Sequence, residues 1–123
     1  MRMPQKFISA VSAVAILLSA PVVMSSAANA SEASAIDEGK KIAFHRKKGN
    51  CLACHAIADG KLPGNIGPPL VNMKDRFPDK SKLKDQIWDA TANNPNSIMP
   101  PFGKHNILSK DELDKVVDFI YSL

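Results

Sequence analysis

The chain has 123 residues and a formal net charge of +4. That length suits one small domain. No dense basic stripe is interleaved with its aromatic residues, so nothing points to a nucleic-acid partner.

Arg2 and Lys6 precede an apolar run from Phe7 to Ala20, Pro21 interrupts it, and Ala28-Asn29-Ala30 has the small-x-small form of a cleavage site. This layout predicts a secretory signal peptide over residues 1–30 and a mature domain over residues 31–123. The alternative is an uncleaved membrane anchor. The run is short for a bilayer span and is broken by Pro21, so no stable membrane anchor is expected. Removing the first 30 of the 123 residues leaves 93, and losing Arg2 and Lys6 leaves 14 basic against 12 acidic side chains, a net charge of +2. A domain this small buries a low fraction of its surface. A disulfide, a metal or a buried cofactor is expected to help hold it together.

From Ser31 to Lys48 the pattern predicts a helix, with Ser34 and Asp37 as a capping box, Ile36, Gly39, Ala43 and Phe44 on one face, and Gly49 as the stop. A short helical piece is expected from Gly49 to Gly60. Lys61 to Leu70 reads as a loop, because it carries three prolines and two glycines and Gly-Pro and Pro-Pro break both helix and strand. Val71 to Phe77 predicts one or two helical turns that Pro78 stops. Asp79 to Thr91 predicts a further helix, and Asn93 to Gly103 a second loop. Ser109 and Glu112 form a capping box ahead of Leu113, Val116, Val117, Ile120 and Leu123, the apolar stripe of an amphipathic helix. No stretch alternates as a strand would. The chain therefore reads as an all-α fold of short helices joined by long, proline-rich loops, which need something to organise them.

Both cysteines lie in "NCLACHA", Asn50 to Ala56. A disulfide-redox motif expects Cys-x-x-Cys in a βαβ framework, and no strand precedes it here. A zinc site needs four ligands, usually as two separated pairs, and the other histidines, His45 and His105, do not form a pair. A structural disulfide between Cys51 and Cys54 would close a loop too tight to stabilise much. The five-residue unit Cys-x-x-Cys-His instead suits haem c. Thiols three apart lie on one face of a helical turn. There Cys51 and Cys54 can add to the two vinyl groups of one porphyrin while His55 projects toward the iron.

A six-coordinate iron needs a second axial ligand, and methionine raises the reduction potential relative to a second histidine. Beyond residue 30 the candidates are Met73 and Met99, 18 and 44 residues after His55. Met99 is the predicted ligand. The longer connection lets a helix wrap one edge of the ring before the chain returns, and Pro100 and Pro101 stiffen the loop that presents the sulfur. Met73 is expected to pack in the core, and His45 and His105 are the rivals. The other ring nitrogen of an axial histidine usually donates to a carbonyl. Pro68 C=O, in "GPPL", is the predicted acceptor. Phe102 is expected to pack on the haem, and Trp88 in the core or at the haem edge, with an interface contact as its alternative. The cluster "HRKKGN", His45 to Asn50, reads either as a docking patch for an acidic partner or as a solvated helix end. Lys80, Lys82 and Lys84 have the same two readings.

In their order, these features resemble class I cytochromes c: an N-terminal helix, Cys-x-x-Cys-His, a Gly-Pro-x-Leu loop, a methionine in a proline-bounded loop and a C-terminal amphipathic helix. The resemblance implies that the first and last helices cross, with Phe44 and Gly39 against Phe119 or Tyr121. One departure is that Phe44 lies seven residues before Cys51, longer than is common in the family. "KKGNCLACH", "GNIGPPL", "RFPD" and "MPPFGKHNIL" together are similar to the SoxX family across nearly all of residues 31–123. SoxX is the monohaem subunit of the periplasmic cytochrome SoxAX. This implies a heterodimer with a SoxA-like cytochrome that holds the catalytic site, action on the SoxYZ carrier protein, and delivery of electrons to a soluble cytochrome. The complex is an L-cysteine S-thiosulfotransferase, joining thiosulfate oxidatively to a carrier cysteine. A free-standing, diffusible cytochrome c is the alternative, and both readings share Cys51, Cys54, His55 and Met99. No other cluster of nucleophiles or paired carboxylates stands out, so this chain is expected to relay electrons rather than make bonds.

Overall fold

The computed structural model describes residues 25–123. The first 24 residues of the predicted signal peptide lie outside the described residues. The elements are α1 (Ser25–Phe44), a single 3₁₀ turn (Cys51–Ala53), α2 (Met73–Arg76), α3 (Lys80–Trp88), a second 3₁₀ turn (Ala90–Ala92) and α4 (Lys110–Tyr121). Among the described residues there is no strand, and the fold is the all-α one expected. Nor is any described helix long and apolar enough to cross a membrane.

α1 differs from the sequence expectation at both ends. Ser34 and Asp37 lie inside it rather than capping it, because the alanine-rich stretch around them propagates helix readily. The helix also stops at Phe44, short of Lys48. From there the backbone folds back on the helix end: His45 N–H and Gly49 N–H both donate to Ile42 C=O at 3.2 Å, and Lys48 N–H donates to His45 C=O at 2.9 Å. This turn absorbs the long spacing between Phe44 and Cys51.

α1 packs most extensively against α4. A methyl group added at Gly39 would stand 1.9 Å from Lys115 O and 3.0 Å from Phe119 Cβ, so only glycine lets the two backbones approach this closely. Phe44 meets Phe119 edge to face, with ring centroids 5.8 Å apart and planes at 82°. Such pairs add about 0.5–1.5 kcal/mol beyond burial. Phe119, rather than Tyr121, is thus the aromatic at the crossing. Tyr121 instead lies beneath the ammonium groups of Lys74 and Lys80. Lys115 of α4 pairs with Glu38 of α1 at 2.6 Å and with Asp111 at 2.8 Å.

α4 begins as predicted. Ser109 Oγ accepts from Glu112 N–H at 3.2 Å, and Glu112 Oε2 accepts from Ser109 N–H at 3.0 Å. Its buried stripe, Leu113, Val116, Val117 and Ile120, joins Ala43 of α1, Met73 of α2 and Leu83 and Ile87 of α3 in one core. Lys80 and Lys84 of α3 pair with Asp118 and Asp114 of α4. Those two lysines therefore tie helices together, while Lys82 stays exposed. The loops from 54 to 72 and from 93 to 109 remain without α-helix, and they build the walls of the site.

Candidate haem site

The motif enters through a left-handed residue. Asn50 has φ 46°, a conformation that Asn adopts at lower cost than most residues because its short polar side chain can hydrogen-bond locally. The 3₁₀ turn follows, and His55 N–H donates to Cys51 C=O at 2.9 Å. One helical turn thus carries Cys51, Cys54 and His55. The predicted continuation of this helix to Gly60 does not form, because the following residues spend their backbone groups on the next loop. Burial pushes the Cys51 thiol up to about 11 against a smaller lowering by its own backbone hydrogen bond, with the Cys54 thiol adding to the rise. A thiol held protonated in this way is a poor nucleophile for disulfide exchange. Among the described residues no group of three or more His, Cys, Asp or Glu could hold a metal ion, so a zinc site would find no ligand set here.

The loop after the motif packs back onto it. Gly64 N–H donates to Leu52 C=O at 2.8 Å, Gly67 N–H to Cys54 C=O at 2.8 Å, and Leu70 N–H to Ala56 C=O at 2.9 Å. Between the last two, Pro68 O lies 2.7 Å from His55 Nδ1. A carbonyl can only accept, so Nδ1 carries the proton and Nε2 is the nitrogen left with a free lone pair. A methyl group at Gly67 would stand 2.3 Å from His55 Cε1. Glycine there is what lets the imidazole lie against the loop.

His55, Cys51 and Cys54 line one cavity of about 740 Å³, within the roughly 300–1,000 Å³ typical of cofactor pockets. Met99, Met73 and Phe102 line the same cavity. Its lining includes no Asp or Glu, and Leu83, Ile87, Leu108, Val116 and Ile120 make much of it apolar. Two thiols on one turn, an imidazole with Nε2 free, a thioether and an apolar wall fit a large, flat, covalently held iron porphyrin. Met99 is half-buried. Met73 is 1% exposed, part of the core, with Arg76 Nη1 3.3 Å from its sulfur. His45 and His105 are exposed and outside the lining.

Trp88 departs from the sequence expectation. It is 42% exposed and does not line the cavity. Its ring lies over Gly103, and its carbonyl accepts from Gly103 N–H and Lys104 N–H at 3.2 Å each. Next to it Asp89, 8% exposed, accepts from Lys104 Nζ at 2.6 Å and from Thr91 N–H at 3.1 Å. Lys104 first, then Thr91, holds the Asp89 carboxyl below the ordinary carboxylate range. Together these contacts clamp the end of the Met99 loop to the end of α3. In "HRKKGN", Lys48 pairs with Glu112, while Arg46 and Lys47 lie exposed at the cavity lining. Arg76 and Lys104 fall within the strings "RFPD" and "MPPFGKHNIL", but no spacing signals the contact of Arg76 with Pro69 or the pairing of Lys104 with Asp89.

Residues 34–120 match the family described as cytochrome c oxidase, cbb3-type, subunit III. The chain belongs to this cytochrome c family. The match runs from within α1 into the last turn of α4 and so covers the whole cavity. A cytochrome c domain carries haem c, with its iron, bound covalently, and serves electron transfer. The chain is also similar to a protein of Aquifex aeolicus (strain VF5) described as an uncharacterized lipoprotein. The two are 34% identical over 77 residues, covering 61% of this chain and 37% of the relative. The matched stretch thus spans little more than a third of that protein.

Proposed function

We propose that this domain is a monohaem electron relay in which Cys51 and Cys54 hold the porphyrin through their sulfur atoms and His55 Nε2 and Met99 Sδ bind the iron. One observation carries the reading: those four residues line a single apolar cavity while Pro68 C=O occupies His55 Nδ1. When bound, haem supplies a one-electron change at its iron. The chain does the rest. The Nδ1–H bond to Pro68 orients the imidazole, the apolar wall keeps water away, and Pro100 and Pro101 stiffen the loop that offers a soft, weak ligand.

The finer reading is the SoxX-like subunit of SoxAX, in the periplasm, paired with a SoxA-like cytochrome. Its support is the four strings shared in order with that family. Joining thiosulfate to a carrier cysteine forms one S–S bond and releases two electrons and one proton. With a one-electron cofactor held by Cys51, Cys54, His55 and Met99, the domain would pass those electrons on one at a time, to a soluble acceptor cytochrome. Export is supported by the leader pattern at residues 1–30 and by the Aquifex relative's description as a lipoprotein. The free-standing carrier is the second reading, since Cys51, Cys54, His55 and Met99 on one cavity would serve it equally well.

Two measurements test this. A pyridine haemochrome spectrum of c type, together with loss of the far-red methionine–ferric band in Met99→Ala, supports the ligand set. Loss of that band in Met73→Ala or His105→Ala instead overturns it. Co-purification with a second, larger cytochrome supports the subunit reading, and a lone monomeric haem protein in native extracts sinks it.

A further inference from the structure

Arg76 lies outside the Cys-x-x-Cys-His motif, at the exposed end of α2, yet it lines the cavity. Its Nη1 donates to Pro69 O at 2.7 Å and stands 3.3 Å from Met73 Sδ. Pro69 directly follows Pro68, whose carbonyl faces His55 Nδ1 at 2.7 Å. Neither proline has an N–H, so its carbonyl is the one backbone group it can use to fix its orientation. The N–H groups of Gly67 and Leu70 pin the ends of the dipeptide to Cys54 and Ala56. Between those ends the twist of the two peptide planes is set by two bonds, the neutral one from His55 and the charged one from Arg76. A charge-assisted bond is roughly twice as strong as a neutral one. Arg76 is itself well anchored, because its N–H donates to Asn72 C=O at 3.1 Å and Met73, three residues earlier, is buried in the core.

We infer that Arg76 is a positioning residue for the axial histidine: its guanidinium holds Pro69 C=O and thereby keeps Pro68 C=O aimed at His55 Nδ1. The inference rests on the proposed reading of His55 as an iron ligand. Arg76 acts through the loop and does not touch the imidazole. Its effect is to keep the ring proton on Nδ1 and the ring plane fixed, leaving Nε2 turned to its task.

The test follows exchange of the His55 Nδ1–H with solvent deuterium by NMR in the reduced holoprotein. Wild type, Arg76→Leu, Arg76→Lys and Met73→Leu are compared, each with its midpoint potential. A pyridine haemochrome spectrum and the methionine–iron band of the oxidised protein certify haem and ligands in every variant. Arg76→Leu accelerates exchange by about tenfold, the factor carried by one hydrogen bond to a charged group. Arg76→Lys, which keeps a cationic donor on a flexible stem, recovers part of the protection. Unchanged exchange in Arg76→Leu, with haem attached, overturns the inference. A potential that moves in Arg76→Leu and returns in Arg76→Lys while exchange never changes also overturns it, since charge alone would then explain the arginine. Acceleration in Met73→Leu equal to that in Arg76→Leu overturns it too, because the arginine would be acting through the sulfur. A wild-type protein whose His55 ring protons lack the shifts of a haem-bound imidazole removes the ligand assignment itself, a result separate from any difference among the variants.

Discussion

On the histidine side of the cavity, each residue from Gly67 to Leu70 makes its own hydrogen bond, to the motif or to α2. On the methionine side, Met99 N–H reaches Ser97 Oγ at 3.3 Å, Ile98 is 73% exposed, and the loop's backbone bonds flank the methionine, Ser97 N–H to Asn94 C=O at 2.8 Å before it and Gly103 and Lys104 N–H to Trp88 C=O at 3.2 Å after it. His55 is fixed atom by atom where it sits. Met99 sits on a proline-stiffened arm held on either side of it. An imidazole must be held in one tautomer and one ring plane, which takes local hydrogen bonds. A thioether offers no strong donor or acceptor to hold, so its loop carries the burden.

The largest expected effect would break the histidine side. Gly67→Ala places a methyl group 2.3 Å from His55 Cε1, and overpacking of this kind costs about 1–3 kcal/mol or more. Thermal unfolding of the holoprotein should show a clear fall in Tm, and the His-ligated spectrum should weaken. Next is Met99→Ala, which should abolish the methionine–ferric band yet leave haem attached and the fold intact by circular dichroism. If Met99→Ala proved as destabilising as Gly67→Ala, the contrast between the sides would be gone.

The clamp at Asp89 sharpens the contrast through pH. The folded carboxyl is depressed below its ordinary 3.8. Its contribution is therefore complete above that value and is lost as pH falls through the lowered one. As the solution is acidified, the wild-type methionine band should hold through the ordinary carboxylate value and weaken only below it. In Asp89→Asn it should be weaker at neutral pH and lack that acid step, while the helical signal at neutral pH is unchanged. A parallel loss of band and helix at neutral pH would show that the clamp serves the whole fold. The smallest effect belongs to Ser97→Ala. It removes one long, partly exposed hydrogen bond to Met99 N–H and should cost no more than about 1 kcal/mol, read as a slight shift in Tm.

Much of this site was legible because its chemistry is local. Cys51, Cys54 and His55 must be adjacent to share a turn, and Ser109 and Glu112 must be three apart to cap α4, so spacing alone announces both. The α4 stripe was legible for the same reason, since helical periodicity marks a buried face. α1 was read less well. Its Ser34–Asp37 pair has the form of a cap, but an alanine-rich run carries helix straight through it. Trp88 was misplaced because a large aromatic is expected to be buried, whereas here its carbonyl and ring are used to clamp Gly103 and Lys104 from the surface.

The sequence by itself determined the kind of cofactor, the turn that brings Cys51, Cys54 and His55 together and the all-α character of the chain, because these depend on residues within a few positions of one another. Only the tertiary structure decided that Phe119 rather than Tyr121 meets Phe44, that Asp89 and Lys104 clamp the loop after Met99 to the end of α3, and that His45 and His105 stay out of the cavity. Those are contacts between segments distant in sequence. They depend on how the α1–α4 crossing and two proline-rich loops close around a common centre, which no local pattern records.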